Sequence, residues 1–245
     1  MKYAIFSDIH GNLEALLAIL ANAEKQGVGA YVCLGDVIGY GANPNECVET
    51  VRGLDPLVCL RGNHDAAVVD ERERVFFHEV ALEGIQYSAG NLTAENTEFL
   101  RTLPYEYRDN PRFMAVHASP YHPEHWEYVL DGLGAERAFD AMAPHRLAFI
   151  GHSHAPVVFC DDGSAQRYPS DEALMLDPKQ HRYVMNVGSV GQPRDGNPDA
   201  SYVVFNDERD SVRLVRVRYD REKAAEKILK AGLPPVLAER LLIGY

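Results

Sequence analysis

The feature that most constrains this chain is a short apolar run that recurs and ends abruptly in polar or glycine residues. Its five occurrences are YAIF at 3–6, AYVCL at 30–34, PLVCL at 56–60, FMAV at 113–116 and LAFI at 147–150. Short runs of this kind, rich in Val, Ile, Phe and Tyr, are typical of buried strands. Amphipathic segments with helical spacing lie at residues 12–26, 45–53 and 134–142. The alternation predicts an α/β protein that contains βαβ units.

The rest of the chain adds helices and a hairpin to this pattern. Residues 66–104 are predicted to be mainly helical, and residues 201–206 and 211–217 to form the two strands of a hairpin. The tail from 220 to 242 indicates two helices, separated by a Gly-Leu-Pro-Pro sequence. Because no repeat or low-complexity linker interrupts the chain, we expect a single domain over residues 1–245.

Charge and composition restrict the partners of such a domain. With 46% apolar and 24% charged residues, the chain of 245 residues has the balance of an ordinary folded protein. Its formal net charge of −12 repels phosphate backbones, so duplex nucleic acid is not expected to bind, whereas a small phosphorylated substrate is easier to accommodate. A nuclease would need a basic groove with aromatic platforms, which the sequence does not indicate, although single-stranded substrates stay open.

Cysteine spacing and hydropathy indicate in which cellular compartment the protein is expected. The four cysteines lack CxxC spacing, so we expect buried free thiols. The N-terminal apolar run is too short for a signal peptide, and the sequence has no stretch of about 18 apolar residues that could span a bilayer. We therefore expect a cytoplasmic protein without membrane association.

Polar side chains follow the apolar runs where the predicted strands end. They are Asp8, Asp36, Asn63, His117 and His152. Since parallel strands of an open α/β sheet share a direction, their carboxyl ends gather in one crevice, and these side chains should meet there. Asp8 and His10 are two residues apart, so on an extended strand both would project to the same side and could reach one metal ion.

Other histidines do not follow such runs. They are His78, His122, His125, His145 and His181. We expect surface or structural roles for them, with His122 and His125 the best placed to line a substrate rim.

Together these residues form an ordered set of motifs. The blocks are Asp8-x-His10, Gly35-Asp36, Gly62-Asn63-His64-Asp65, His117 and Gly151-His152-Ser153-His154. In this order they resemble the signature of the calcineurin-like metallophosphoesterases. A glycine-rich segment at residues 186–196 resembles one found in small prokaryotic members, where it reaches back toward the site.

The resemblance implies a ligand set and a reaction. Asp8, His10 and His154 would hold one metal ion. Asn63, His117 and His152 would hold a second, and Asp36 would bridge both. A hydroxide shared by the two ions would attack a phosphodiester or phosphomonoester, and His64 would act as general acid. Donors of this kind suit transition metals, with Mn or Fe favoured and Ni, Co or Zn also compatible.

Asp65 follows His64 directly in the sequence. Adjacent residues on an extended chain point in opposite directions, so we do not expect Asp65 to orient the His64 ring. The residue that orients His64 stays open.

The resemblance also implies the architecture, namely two packed mixed β-sheets flanked by helices in an αββα sandwich. Helical segments at about 66–104 and 118–145 would then form a rim over the metal ions. Assembly as a homo-oligomer stays open.

The substrate is less constrained than the ligands. Serine/threonine phosphatases of this family carry GDxVDRG, but here the sequence from 35 to 41 is GDVIGYG, without the phosphate-binding arginine. Arg61 and Arg194 are the remaining candidates to bind phosphate, although each could equally form a surface ion pair. The alternatives to a general phosphoesterase are therefore a protein phosphatase and a non-catalytic interaction scaffold on the same fold. A scaffold would be expected to have lost a motif residue, and none is missing.

Overall fold

The strands form two six-stranded sheets in the computed structural model, which describes residues 1–108, 110–169 and 172–245. From edge to edge, the first sheet contains β3 (Val58–Cys59), β2 (Ala30–Cys33), β1 (Lys2–Phe6), β11 (Ala200–Asn206), β12 (Ser211–Val217) and β9 (Leu174–Met175). The second contains β4 (Glu106–Tyr107), β5 (Met114–Val116), β6 (Leu147–Ile150), β10 (Tyr183–Asn186), β7 (Val157–Cys160) and β8 (Ala165–Gln166).

Each sheet is mixed and contains one parallel triplet. In the first sheet β1, β2 and β3 run parallel, and in the second β5, β6 and β10 do. The remaining pairs are antiparallel, and β11 with β12 forms the predicted hairpin. The expectation of two mixed sheets is confirmed.

The amphipathic segments do form helices, but the expected helical segment at about 118–145 is helical only at Gly132–Ala141 and in a short 3-10 turn. The helices are α1 (Leu13–Lys25), α2 (Pro44–Gly53), α3 (Asn63–Val69), α4 (Glu79–Asn91), α5 (Ala94–Thr102), α6 (Gly132–Ala141), α7 (Arg221–Lys230) and α8 (Pro235–Ile243). Two 3-10 turns, Glu71–Phe76 and Pro123–His125, stand outside this series. In the described ranges, no helix combines the length and apolarity that a membrane span requires.

Alternating side chains of β1 show how the layers pack. Tyr3 and Ile5 belong to the core between the sheets. The second sheet contributes Phe149 from β6 to this core, and Phe113 joins it from the residue just before β5. Ala4 and Phe6 point the other way and pack in a separate core with α1, as the two-residue period of a strand requires. A third core lies between the second sheet and α6. The layers are therefore helices, sheet, sheet and helix.

The loops that follow the two parallel triplets meet at one edge of the sandwich. Asp8 N–H donates to the carbonyl of Gly35 at 3.0 Å, and the Gly151 N–H donates to that of His117 at 2.8 Å. The glycine-rich segment joins them, since Gly191 N–H donates to the Asp8 carbonyl at 2.8 Å. The expected crevice therefore lies between two sheets and not at the edge of a single parallel one.

Candidate metal centre and substrate cavity

Five of the candidate ligands sit on backbone with positive φ. The φ angles are 57° at Asp8, 51° at His10, 52° at Asp36, 66° at His152 and 59° at His154. Strand β1 ends at Phe6, so the expectation that Asp8 and His10 converge by lying on an extended strand is wrong. They converge through left-handed turns, which are fixed by hydrogen bonds such as His10 N–H to the Asp36 carbonyl at 2.9 Å. Conformations of this kind are sparsely populated outside glycine and cluster at functional sites.

Asp8, His10 and His154 form the first group of converging side chains. The Nε2 atoms of His10 and His154 lie 3.0 Å apart. The Asp8 Oδ1 atom lies 3.4 Å from Nε2 of His154 and 3.9 Å from Nε2 of His10. All three side chains are buried, and their ligand atoms are close enough to hold one ion.

A second group contains Asp36, Asn63, His117 and His152. The His117 Nε2 atom lies 3.4 Å from Asp36 Oδ2 and 3.2 Å from Asn63 Oδ1. His152 brings a ring nitrogen into the same cluster. Asp36 Oδ2 is also 3.6 Å from Nε2 of His10. Its carboxylate thus lies between the two groups, in the position that the family resemblance implies for a bridging ligand.

Hydrogen bonds at the far side of three rings fix their tautomers. The Nδ1 atoms of His10, His117 and His154 face the carbonyls of Ile38, Leu34 and Gln192 at 3.3, 3.1 and 2.6 Å. A carbonyl oxygen only accepts, so each Nδ1 must carry the hydrogen, and in a neutral ring Nε2 is left with a lone pair. Outer partners of this kind orient metal-binding histidines.

This cluster fits divalent cations. With both rings neutral, the lone pairs of His10 Nε2 and His154 Nε2 repel each other at 3.0 Å unless a cation or a proton lies between them. Carboxylate, imidazole and amide oxygen donors without a thiolate suit transition metals such as Mn or Fe.

The electrostatics of the metal-free cluster agree with this interpretation. Burial alone would raise the pKa values of Asp8 and Asp36, but the facing imidazoles hold both below the usual range. Burial opposes protonation of His117 as well, yet the charge of Asp36 and a hydrogen bond to it raise the pKa of His117 to about 9. Burial and the nearby His117 lower the pKa of His152 to about 3. The raised pKa means that the metal-free cluster favours a proton on His117, with which a metal ion would compete.

Asp36 is held by the Gly62-Asn63-His64-Asp65 sequence. Its Oδ1 accepts a hydrogen bond from the His64 N–H at 2.8 Å. A Cβ on Gly62 would collide with the Asp36 carboxylate, so this close approach requires glycine. Asp65 accepts from the N–H groups of Gly62, Val37 and Ile38 at 3.0, 3.0 and 3.3 Å. Asn63–Val69 is helical, so the expected extended backbone at Asp65 is wrong, and its carboxylate anchors the loops.

His64 lies against the cluster and lines a cavity in front of it. Its ring is buried against Tyr40, His10 and Phe77, with centroids 4.6, 4.7 and 4.9 Å away. Within the described residues, its Nδ1 atom has no hydrogen-bond partner. Burial lowers the pKa of His64 to about 4, so the metal-free ring is neutral near pH 7.

The cavity has a volume of about 630 Å³ and receives Arg194 from the glycine-rich segment. Arg194 Nη2 donates to Gln192 Oε1 at 2.8 Å and to the Tyr40 hydroxyl at 3.3 Å. Its guanidinium also lies 5.6 Å from the centre of the Tyr40 ring. The arginine is thus oriented before any substrate arrives.

Arg61, by contrast, does not line this cavity. Its guanidinium donates to the Tyr105 hydroxyl at 3.2 Å and to the carbonyl of Arg101. From the sequence, Arg61 and Arg194 are equal candidates to bind phosphate. In the structure, Arg194 lines the cavity beside the ligand cluster and Arg61 does not.

The remaining histidines divide between the rim and structural positions. His125 lines the cavity, as expected, but His122 does not. His78, for which we expected a surface or structural role, both lines the cavity and caps α4, where its Nδ1 accepts from the Ala81 N–H at 3.3 Å. His145 and His181 bond elsewhere, to Asn110 and Asp161.

Several cavity residues are not apparent from the motifs. They are Tyr40, Phe76, Phe77, Trp126 and Tyr128. Tyr40 follows the Gly35-Asp36 motif and has glycines on both sides, which is a usable signal. The others come from the two segments predicted to form a rim, and both segments do line the cavity.

Comparisons with known proteins agree with this geometry. A family model described as the calcineurin-like phosphoesterase superfamily domain matches residues 1–210. An uncharacterised protein of Methanocaldococcus jannaschii is 41% identical over 244 residues, covering 98% of this chain and 97% of that protein. The crystal structure of a metallophosphoesterase from Sphaerobacter thermophilus is 36% identical with a TM-score of 0.88, covering 100% of this chain and 99% of the other. A hypothetical protein from Pyrococcus horikoshii shares the fold at 20% identity and a TM-score of 0.82, covering 100% of this chain and 98% of the other. The chain therefore belongs to the calcineurin-like phosphoesterase superfamily.

Proposed function

We propose that this protein hydrolyses phosphodiesters or phosphomonoesters with two divalent metal ions, Mn or Fe being favoured. The observation that carries the proposal is the convergence of seven ligand side chains on two adjoining groups, with Asp36 between them. An open catalytic site normally takes about three protein ligands per ion, so seven exceed the need of one. When bound, such ions activate the attacking water and neutralise charge on the phosphoryl oxygens.

The side chains of the cavity then have separate tasks. Arg194 binds and orients a phosphoryl oxygen, because its guanidinium is already held by Gln192 and Tyr40. His64 donates a ring N–H to the leaving oxygen, which takes up a proton as the P–O ester bond breaks and the bond from the water oxygen forms. Because a neutral imidazole would be left as an imidazolate, His64 acts as the acid in its imidazolium form, which the negative charge of a bound phosphoryl group favours.

We also propose the setting in which this reaction takes place. All four cysteines are free and buried, which suits a reducing compartment such as the cytoplasm. The net charge of −12 favours a small phosphorylated substrate over a nucleic acid duplex.

Metal loading and a substrate panel test the proposal together. Chelated protein is reloaded separately with Mn, Fe(II), Co, Ni or Zn, the bound metal is counted by elemental analysis, and each form is assayed with aryl phosphodiesters and monoesters. We expect two ions per chain, and diesters hydrolysed at least comparably to monoesters, since the phosphatase arginine that favours dianions is missing. A single ion per chain would contradict the binuclear centre. A monoester preference of about a thousandfold would contradict the expected balance of substrates.

A further inference from the structure

Aromatic side chains flank the ligand cluster on one side of the cavity. Phe77 follows the 3-10 turn Glu71–Phe76 and packs on the His64 ring with centroids 4.9 Å apart. Phe76 lines the same cavity although 80% of its surface is exposed. An apolar ring at the edge of a cavity adds apolar contact area for a bound ligand.

A second aromatic wall comes from the segment after the turn Pro123–His125. Tyr128 stacks on His152 with a centroid distance of 4.1 Å and an interplanar angle of 23°. Trp126 lies against His117 at 5.9 Å, and its Nε1–H is buried with no hydrogen-bond partner in the part of the chain that the structure describes. An organic group attached to a bound phosphoryl group would therefore meet aromatic side chains on this side of the cavity as well.

The charges around the cavity limit how many phosphates it can take. Among the described residues, Arg194 is the single arginine or lysine that lines it, whereas Glu73 and Glu124 both do. One guanidinium can match one phosphoryl group. Further phosphates in the outer cavity would lie near these two carboxylates, where like charges repel.

From this arrangement, and resting on the phosphoesterase function proposed above, we propose a substrate class. The substrate carries a single phosphoryl group esterified to an aromatic or nucleobase-bearing group, which stacks between Phe76 and Tyr128. Chains of phosphates are disfavoured. The volume of about 630 Å³ falls within the usual range for small-ligand sites.

A matched pair of diesters tests the aromatic preference with the metal-loaded enzyme. Methyl and phenyl p-nitrophenyl phosphate share a leaving group and differ only in the group that remains on phosphorus. We expect kcat/KM to be about tenfold higher for the phenyl ester, because a tenfold ratio corresponds to the free energy of about one aromatic contact. Phe76→Ala should reduce this ratio to about one, whereas Val75→Ala should keep it. Val75 is the matched control because it is 77% exposed and does not line the cavity.

Binding gives a readout that does not depend on turnover. Trp126 is the chain's single tryptophan, so its fluorescence reports on the cavity directly. Titration of the metal-loaded protein with phenylphosphonate should change the emission at concentrations about tenfold lower than methylphosphonate or tripolyphosphate. Equal responses to phenyl- and methylphosphonate, or equal kcat/KM for the two diesters, would overturn the proposed aromatic preference. A tighter response to tripolyphosphate would overturn the single-phosphoryl limit.

The proposed function and the substrate class can fail separately. If neither these diesters nor an aryl monoester is hydrolysed, the hydrolase is contradicted while the titration still decides the aromatic preference. If Phe76→Ala leaves the ratio unchanged and instead dissociates an oligomer, the exposed ring serves contact between copies of the chain, and the substrate class is wrong.

Discussion

Removal of metal should lower the thermal stability of this protein, because the metal-free cluster holds facing lone pairs. His10 Nε2 and His154 Nε2 are 3.0 Å apart, and their Nδ1 hydrogens are committed to carbonyl oxygens. Added Mn²⁺ at about a thousand times its dissociation constant should stabilise the folded state by about 4 kcal/mol for one ion. For a chain of this size that corresponds to a rise of about 8 °C in the unfolding temperature.

The assay compares thermal unfolding of chelated and Mn²⁺-reloaded protein. His154→Ala removes one of the facing nitrogens and should reduce the metal-dependent rise to under about 3 °C. His181→Ala is the control, since His181 belongs to a separate group with Cys160 and Asp161 that could also hold an ion. Equal unfolding temperatures with and without Mn²⁺ would refute the reasoning. If the metal-dependent rise is lost in His181→Ala, the stabilising ion binds at the group that contains His181 and not at the proposed centre.

Three further changes separate the tasks of individual residues. His64→Ala should retain both ions by elemental analysis but slow turnover by about 10² to 10⁴, with the larger deficit for alkyl leaving groups; an unchanged rate on an alkyl ester would exclude the acid role. Arg194→Lys should lower kcat/KM on an aryl diester by about tenfold or more, while Arg61→Lys changes it less than about twofold; equal effects would contradict the placement of the two guanidiniums. Gly62→Ala should push the Asp36 carboxylate aside, so activity should fall by about 100-fold and bound metal below two ions per chain.

The order of secondary structure and the convergence of the candidate ligands could be predicted from the sequence, whereas the assignment of those ligands to metal ions comes from the family resemblance. Each apolar run is long enough for one buried strand, and a candidate ligand follows each run within three residues, where the strand end places it at the same edge. The hairpin of β11 and β12 and the two terminal helices also follow from local signals. These strands and helices depend on residues that are near neighbours in the chain, so they could be predicted without knowledge of the tertiary packing.

The cavity could not be predicted in the same way, because its walls depend on long-range packing. Arg61 lies next to the Gly62-Asn63 motif, yet its guanidinium is drawn to Tyr105 and the carbonyl of Arg101. Arg194 is remote in sequence and is delivered by the loop after β10, where Arg194 N–H donates to the carbonyl of His154 at 3.2 Å. Distance along the chain therefore says little about which arginine faces the substrate.

The backbone of the ligand loops bears on the choice between an enzyme and an interaction scaffold. Asp8, His10, Asp36, His152 and His154 all occupy the left-handed region, where a non-glycine residue typically costs about 1 kcal/mol or more. An interaction surface elsewhere on the sandwich would not require this strain, and substitution by glycine would relieve it. Each strained residue instead presents a carboxylate or imidazole to one of the two adjoining groups. The metal ligation proposed above, on the buried side of the cavity, would account for this strain, and this favours the hydrolase over the scaffold.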